Sequence, residues 1–287
     1  MKKVISMLIV IIMACTLFVP AYAADKAVGS NIALSASSGS VTVKNASGSS
    51  LAVRAGMKLS NGYSVSAGTK SYAYITLDST KAVKLDSSSS AQVKASGRQL
   101  EVKLTKGKLY FNVDAPLASS ERLNISTSTM VTGIRGSYGW VTEDEMGLLH
   151  GHVTVTCKAY RSSETVVFDI KGGEGVRLTT DAQSGAQTFE KITLKEEDIP
   201  YFVISELRKN TGLQGMIRKD VPTLDVDKIL ALEEIKGEED AALEQTLTDE
   251  INEKLGRLFT NSAKNSSTQV FNTVSYGSGG GNGQKKN

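Results

Sequence analysis

The sequence is poor in cysteine, proline and histidine. There are 2 cysteines, 4 prolines and 2 histidines among 287 residues. Cys15 lies in an N-terminal segment, residues 1–23, that we expect to be removed. Its removal would leave Cys157 alone, so no intramolecular disulfide forms and stability must come from packing. With only His150 and His152 present, Ser-His and Cys-His nucleophile mechanisms have no other histidine to use.

The chain also lacks a strong charge of either sign. Its formal net charge is +3, and it falls to +1 if Lys2 and Lys3 are removed. Neither a basic field suited to nucleic acid nor an acidic scaffold is indicated. The sequence has no Gly-x-Ser-x-Gly elbow, phosphate-binding loop, dinucleotide fingerprint or zinc-ligand spacing. We therefore expect no nucleic-acid partner, no cofactor and no enzymatic activity.

The one pronounced apolar run lies at the N-terminus. Residues 1–23 combine Lys2 and Lys3, an apolar stretch from Val4 to Met13 and the small-x-small ending Ala21-Tyr22-Ala23. This order is typical of a secretory signal peptide. The stretch is shorter than the ~18 residues that a permanent membrane span needs. We expect cleavage near Ala23 and a secreted or extracytoplasmic protein of the periplasm or cell envelope, without a membrane span after cleavage.

An alternative processing route is lipidation. Ile12-Met13-Ala14-Cys15 loosely resembles a lipoprotein processing site, at which Cys15 would be acylated. Met13 fits that pattern poorly, and Ala21-Tyr22-Ala23 is the better cleavage site. If Cys15 is lipidated, the protein is tethered to a membrane.

From Asn31 to about Leu194, apolar residues recur at every second position. The alternating sets include Val41 and Val43; Ala73, Ile75 and Leu77; Leu100, Val102 and Leu104; Leu109, Phe111 and Val113; Val153 and Val155; and Val166, Phe168 and Ile170. This period is typical of strands with one buried and one wet face. We predict a mainly β domain over residues 24–195, an antiparallel short-strand stack that is solenoid-like, barrel-like or sandwich-like.

Two segments of this region echo each other. Gly39-Ser40-Val41-Thr42-Val43 and Gly151-His152-Val153-Thr154-Val155 share a leading glycine and an alternating strand pattern. Two copies are too few for a repeat array.

Beyond Leu194 the pattern becomes helical. Ile199, Val203 and Leu207 lie four residues apart, and Val226, Ile229 and Leu230 suggest a second helix. A third helix is predicted from about Glu238 to Phe259, with one apolar face made of Leu243, Leu247, Ile251, Leu255 and Leu258. That face either packs on the protein itself or docks a partner. We assign residues 196–260 to a helical segment and 261–287, which are polar and glycine-rich, to a disordered tail.

The histidines and cysteine are the most chemically suggestive cluster. If Leu149 to Cys157 is one regular strand, His150 and His152 share its polar face while Cys157 joins the buried face. The three residues then cannot bind one metal ion, and the two histidines are at most weak metal candidates. Glu143-Asp144-Glu145 suggests a solvated hairpin loop more than an acid-base pair or a calcium loop.

Aromatic residues offer a second candidate site. Tyr63, Tyr72, Tyr74, Tyr138 and Trp140 fall in or beside predicted strands. Exposed aromatic side chains would form a binding surface for peptides or glycans, whereas cross-strand packing would make them structural.

The segment Met130-Val131-Thr132-Gly133-Ile134-Arg135-Gly136-Ser137 resembles the signature of FecR-type domains, a small-residue run followed by Gly-Val-Arg-Gly-Thr. Within the signature, Ile134 replaces the commoner Val and Ser137 replaces Thr. Further along the chain, His150 precedes Gly151 at a position where FecR-type domains often have an acidic residue. Gly133 and Gly136 are expected to permit a sharp turn or close backbone approach. Arg135 is expected to act as a structural clamp on a carboxylate or as part of a ligand site.

The resemblance covers roughly residues 30–180 and implies an extracytoplasmic, non-enzymatic β module. FecR proteins proper are iron-signalling regulators that have a cytoplasmic sigma-factor-binding segment and a membrane helix. In this chain we expect a signal peptide in place of those two segments. We therefore expect a binding or scaffold module for a protein or cell-wall glycan. One alternative is an envelope-sensing component that works through a membrane-bound partner. Another is an enzyme that processes cell wall or polysaccharide, which requires a cleft with two convergent carboxylates.

Overall fold

Strands with one apolar face stack into two sheets around a common core. The computed structural model describes residues 31–117, 120–160, 162 and 164–232. Within these residues the strands lie between Ala33 and Thr193, and helices follow. The expected mainly β fold with a short helical segment behind it is confirmed. Its architecture is a sandwich of two nine-stranded sheets.

Sheet A is antiparallel throughout. Its spatial order is β18 (Gln187–Thr193), β17 (Glu174–Thr180), β14 (Glu145–His150), β13 (Tyr138–Thr142), β10 (Lys108–Val113), β7 (Lys81–Leu85), β6 (Tyr72–Thr76), β1 (Ala33–Ser38) and β4 (Met57–Lys58).

Sheet B contains one parallel pair, β9 with β11. Its spatial order is β16 (Val166–Lys171), β15 (His152–Cys157), β12 (Met130–Ile134), β11 (Arg122–Ser126), β9 (Gln99–Lys106), β8 (Ser90–Ser96), β5 (Ser64–Ala67), β2 (Val41–Lys44) and β3 (Ser50–Leu51). The chain leaves sheet B after β9, forms β10 in sheet A and returns as β11. This crossover is what a parallel pair needs.

The inward side chains of both sheets form the first hydrophobic cluster. Phe111 and Leu85 of sheet A pack with Val102 and Ile125 of sheet B, and all four are buried. Each large apolar side chain removed from water stabilises the fold by ~1.5–3 kcal/mol. Packing between the sheets is therefore a main source of stability in the described part of the chain, where Cys157 is a free thiol.

Three short helical elements follow the strands. They are a 3₁₀ helix (Glu196–Asp198), α1 (Tyr201–Lys209) and α2 (Thr211–Asp220), and the chain is helical again over 226–232. Pro200 precedes α1, where a residue without an N–H costs nothing. The Asn210 side chain accepts a hydrogen bond from the N–H of Leu213 at 2.9 Å and caps α2. No described helix has the length and apolar character to cross a membrane.

The helices cover the outer face of sheet A. Ile199, Val203 and Leu207, the predicted stripe, are fully buried there. With residues of α2 and of 226–232 they form a second cluster over Tyr110 and Trp140 of sheet A. The central strands β10, β13 and β14 of sheet A are therefore largely buried on both faces. In sheet B, the outward positions of β12, β15 and β16 are mostly exposed.

Glycines mark three places where the chain passes from one sheet to the other. Gly39 joins β1 to β2, Gly107 joins β9 to β10, and Gly151 joins β14 to β15, with φ angles of 71°, 79° and 102°. A Cβ atom at Gly107 would lie 2.9 Å from the Cα of Ser89, and one at Gly151 would lie 2.6 Å from the carbonyl oxygen of Gly136. These corners need both the left-handed backbone and the missing side chain.

A buried serine lies under each of these glycines. Ser71, Ser89 and Ser137 are at most 3% exposed. Each hydroxyl accepts the N–H of the residue after the glycine, with partners Ser40 at 2.8 Å, Lys108 at 2.9 Å and His152 at 3.3 Å. Each also donates to a carbonyl oxygen, of Thr69, Ser87 and His152 respectively. The echoed segments Gly39–Val43 and Gly151–Val155 are two of these corners.

Leu149 to Cys157 is not one regular strand, so the condition on which the placement of His150 rested is not met. Gly151 ends β14 in sheet A, and β15 begins at His152 in sheet B. The alternating pattern continues through the corner, so period alone does not reveal the break. The expected signal peptide (1–23), Cys15, the third predicted helix (238–259) and the tail (261–287) lie outside the described residues.

We expect Gly107→Ala to lower the free energy of unfolding by ~3 kcal/mol, because it adds both backbone strain and overlap with Ser89. Urea unfolding of the full chain measures this change. Gly48→Ala is the matched control, since Gly48 has a similar φ of 84° but no heavy atom within 4 Å of its Cβ position. The control should cost only ~1 kcal/mol. Equal losses in the two variants would contradict the close-packed corner.

Candidate functional site

The FecR-like signature lies where the chain crosses from β12 to β13. Gly133 is in β12, opposite Asn124 and Thr154, and a Cβ there would make only ordinary contacts at 3.7 Å. Gly136 has a φ of 144°, and a Cβ there would lie 3.2 Å from the Cα of Pro116. The close backbone approach is therefore made at Gly136, while Gly133 is an ordinary strand position.

The side chain of Arg135 is exposed beside this corner. Its backbone oxygen accepts the N–H of Leu117 at 2.9 Å. Its guanidinium makes no hydrogen bond or ion pair with any residue that the structure describes. The planar fork of an arginine suits bidentate pairing with a carboxylate. Such a carboxylate is not supplied by the described part of the chain.

Ser137 has a role that the sequence analysis missed. Its hydroxyl donates to the carbonyl oxygen of His152 at 3.1 Å and accepts the N–H of the same residue at 3.3 Å. The hydroxyl thus joins the signature corner to the Gly151 corner. The sequence held one sign of this role. Ser137 stands where the signature usually has Thr, and the side-chain group that Ser and Thr share is the hydroxyl that makes these bonds.

The two histidines lie on different sheets and contact different carboxylates. His150, at the end of β14, is 3.1 Å from Asp220 at the end of α2. His152, at the start of β15, pairs with Asp169 of β16. Among the described residues there is no group of three or more His, Cys, Asp or Glu placed to hold a metal. Burial raises the pKa of the Cys157 thiol to about 12, which keeps it protonated.

A cleft of about 540 Å³ is lined both by these histidines and by the end of α2. Its lining includes the glycine turns and the end of α2: His150, Gly151, His152, Lys171, Gly172, Gly173, Glu174, Thr193, Asp220, Val221 and Thr223. Glu174 pairs with Lys191 at 2.8 Å. Burial opposes ionisation of Glu174, but Lys191 and the N–H of Lys171 outweigh it and lower its pKa. A catalytic general acid needs the opposite shift.

The acidic run Glu143-Asp144-Glu145 also makes structural contacts. Glu143 accepts the N–H of Gly107 at 2.8 Å, and Glu145 pairs with Arg177 at 2.7 Å. The Thr142 hydroxyl accepts the N–H groups of Asp144 and Glu145 at 3.2 and 3.0 Å. Two of the three carboxylates are thus engaged in holding strands together.

Trp140 and Tyr138 do not form an exposed aromatic surface. Trp140 is fully buried under the helices, and Tyr138 is 6% exposed with its hydroxyl donating to Asp114 at 2.8 Å. The Trp140 ring lies across Gly147, where a Cβ would come within 2.6 Å of the indole Cε2 atom. Trp140 is therefore a packing residue, because helices cover the sheet face on which it lies.

Tyr72 and Tyr74 lie at the rim of the helical cover. Their rings meet edge to face at 5.5 Å, and the Lys84 ammonium is 5.5 and 5.8 Å from the two ring centres. Glu206 of α1 accepts from the Tyr74 hydroxyl at 2.6 Å and pairs with Lys84 at 3.0 Å and Lys209 at 2.9 Å. Only Tyr72 is exposed. Tyr74 instead ties α1 to sheet A.

Burial opposes ionisation of Glu206, yet its pKa is lowered. Hydrogen bonds from Lys209 and Tyr74 and the charge of Lys84 outweigh the desolvation. Burial raises the pKa of Tyr74, and its hydrogen bond to Glu206 raises that pKa further. Glu206 is thus a buried carboxylate whose charge is fully partnered, which is the condition under which buried charges are tolerated.

Residues 63–156 match the family model described as FecR protein. This part of the chain is similar to a FecR domain. The match begins just before β5 and ends in β15, so it includes the signature and the corners at Gly107 and Gly151. The FecR resemblance is thereby confirmed. This family is generally non-enzymatic and is associated with signalling at the cell envelope.

Two solved structures are similar to part of the chain. Both are crystal structures of a candidate anti-sigma factor from Parabacteroides distasonis, at 2.50 and 1.65 Å resolution, each with 15% identity and a TM-score of 0.36. The similarity covers 44% of this chain and 58% of that protein. No curated protein matches the chain.

We expect Gly147→Ala to displace the Trp140 ring, shift its fluorescence to longer wavelength and lower stability by ~2 kcal/mol. Trp140 is the one tryptophan in the sequence, so the emission reports on this site alone. Gly215→Ala in α2 is the control, because no heavy atom lies within 4 Å of its Cβ position. It should leave the emission unchanged. An unshifted Gly147→Ala spectrum would contradict the packing described.

We expect Glu206→Gln to lower stability by ~2 kcal/mol near neutral pH and to flatten the acid side of the stability profile. Because the folded pKa lies below the unfolded value of about 4.3, the carboxylate stabilises fully above that value. That contribution is lost as pH falls through the lower folded pKa. Urea unfolding between about pH 6 and pH 3 measures it. The exposed Glu190→Gln is the control, and identical pH profiles would refute the assignment.

Proposed function

We propose that this chain is an exported, non-enzymatic component of envelope signalling that works by binding a protein partner. The similarity of residues 63–156 to a FecR domain supports the signalling role. The expected signal peptide over residues 1–23 supports export. Envelope sensing, introduced above as an alternative, is better supported than a scaffold for glycan or protein.

One observation carries the proposal. Arg135, inside the family signature, is exposed and is not paired by the described residues. A structural arginine is normally paired or packed, whereas a recognition arginine must be available to its partner. Arg135 lies on the side of sheet B, and the outward positions around it are mostly exposed. Helices occupy the other sheet, so this is the face on which a partner has room to bind.

The enzyme alternative is less well supported. In the cleft of about 540 Å³, Asp220 contacts His150 and Glu174 contacts Lys191. Glu174 also has a lowered pKa. Acid catalysis by a carboxyl pair requires one group with a raised pKa. We therefore propose recognition by this face and no reaction.

The test compares Arg135→Ala with the wild type in a strain that lacks the gene and is complemented with the full chain. We expect the stability to change by less than ~0.5 kcal/mol, because the side chain is exposed. The transcriptional response to envelope stress should resemble that of the deletion strain. Lys44→Ala, an exposed cation on β2 of the same sheet and outside residues 63–156, should complement fully.

Full complementation by Arg135→Ala would refute the proposed role of the signature. So would a large loss of stability, since Arg135 would then be a structural residue. Export is checked on the wild type, where mass spectrometry of the envelope fraction should find a chain that begins near Ala24.

A further inference from the structure

Gly133 is a signature glycine that the fold does not require. It lies inside β12, between Asn124 of β11 and Thr154 of β15. Its φ is not positive, and an added Cβ would make only ordinary contacts, at 3.7 Å from the Asn124 Oδ1 atom and from the Thr154 carbonyl oxygen. A glycine inside a strand weakens the strand, and it often marks close approach by a ligand or another backbone. The described part of the chain thus supplies no packing reason for a glycine here.

This glycine opens onto the outer face of sheet B. Along β12, Val131 is 42% exposed and Gly133 is half-buried, whereas Thr132 and Ile134 are buried between the sheets. Arg135 continues the outward series and is exposed. A strand rises ~3.4 Å per residue, so the Cα atoms of Val131 and Arg135 are ~14 Å apart. Because Gly133 has no side chain, a depression lies between these two outward side chains.

One end of this depression is apolar. The described chain has six exposed large apolar residues, and four of them lie toward this end of sheet B: Val131, Val166, Val167 and Tyr160. Val131 and Val167 lie opposite Thr156 from its two sides, so they flank one position of β15. Exposed apolar residues that cluster mark interaction sites, whereas single ones are common on any surface.

The other end of the depression is cationic. The Arg135 guanidinium makes no hydrogen bond or ion pair with the residues that the structure describes. The acids that face outward from β16 and β9 are already bound. Asp169 pairs with His152, and Glu101 pairs with Lys94 at 3.4 Å. Neither acid is therefore available to Arg135. Its planar fork suits a carboxylate, which it binds through two parallel hydrogen bonds.

We propose that the outer face of β12 is a docking groove for an extended segment of a partner protein. An acidic side chain of the segment pairs with Arg135, an apolar one packs on Val131 and Val167, and one between them fills the space over Gly133. These three are alternate residues of the segment, because all of them face the sheet. β12 is paired on both sides, with β11 and β15, so the groove recognises side chains.

The occupant is thus a protein segment with the pattern acid-x-apolar-x-apolar. This inference deepens the proposed function and rests on its claim that a protein partner binds through Arg135. It adds the chemistry of the partner and gives the signature glycine a role in recognition.

The first test uses the full chain and two end-blocked peptides, Asp-Ser-Val-Ser-Leu and Lys-Ser-Val-Ser-Leu, followed through the backbone amide signals of the labelled protein in NMR. We expect the Asp peptide to shift the signals of Val131, Gly133 and Arg135. It should bind about fivefold more tightly than the Lys peptide, because only its charge is opposite to that of Arg135. Arg135→Ala should remove this preference. Lys44→Ala, which removes an exposed cation from β2 of the same sheet, should preserve it.

The second test fills the depression with Gly133→Val. Valine is favoured in strands and its Cβ has room here, so the urea midpoint should stay the same or rise. Its methyl groups occupy the groove, so both peptides should bind about tenfold more weakly. In the complemented strain, the stress response should fall to that of Arg135→Ala. Ser64→Val is the matched control, because it adds the same side chain at an outward position of β5, four strands away. It should change neither binding nor response.

Gly133→Ala adds only the Cβ and separates recognition from folding. It should keep the wild-type urea midpoint and weaken both peptides about threefold. A lowered midpoint for this variant would overturn the proposal, because the glycine would then be a structural residue. Equal binding of the two peptides, or unchanged binding by Gly133→Val, would also overturn it.

The outcomes separate this inference from the proposed function. If neither peptide binds while Arg135→Ala still abolishes the stress response, only the docking groove is wrong. If the peptides bind as expected while Arg135→Ala signals normally, the signalling role of the signature is wrong and the groove stands.

Discussion

The sandwich depends on a hydrogen bond that recurs at its corners. When the chain moves between sheets, its backbone must turn sharply in the interior, where an unpaired N–H is costly. At Gly39, Gly107 and Gly151 the following N–H is taken by the hydroxyl of a buried serine. The glycine supplies both the left-handed φ and the space above the serine. At these three corners the hydrogen bond holds the turn closed and helps to fix the strands on either side of it.

The helices make the two sheets unequal. Over the centre of sheet A the contact is apolar, through residues such as Phe202 and Trp140. Around it, Glu206 pairs with Lys84, Arg177 with Asp198, and His150 with Asp220. These contacts contribute to the orientation of the helical cover more than to its stability, since an ion pair adds little net energy but a specific geometry. For function this means that the outer face of sheet B is the exposed one over β12, β15 and β16, and that Arg135 lies on the same side of the sandwich.

The candidate site shows where reasoning from period and residue type works and where it fails. Alternation separated His152 from Cys157 correctly, because both belong to one strand. It failed for His150, because Gly151 moves the chain to the other sheet without interrupting the alternation. Trp140 and Tyr138 have the same local pattern as Tyr72 and Tyr74, yet helices from residues 196–232 bury the first pair. No local signal encodes the burial of Trp140 and Tyr138, since the helical residues that cover them lie more than fifty positions away in the sequence.

Sequence alone determined the strand-forming region, the helical region after it and the family signature at Gly133 to Gly136. These follow from short-range features: apolar residues at every second position in strands, turn residues, apolar residues four positions apart in helices, and a specific motif. Only the tertiary structure decided which sheet each strand joins and which face the helices cover. Those outcomes depend on packing between distant segments, as when Gly147 accommodates Trp140 or β16 becomes the last strand of sheet B. The physical reason is that burial is a property of neighbours in space, and the sequence specifies neighbours only along the chain.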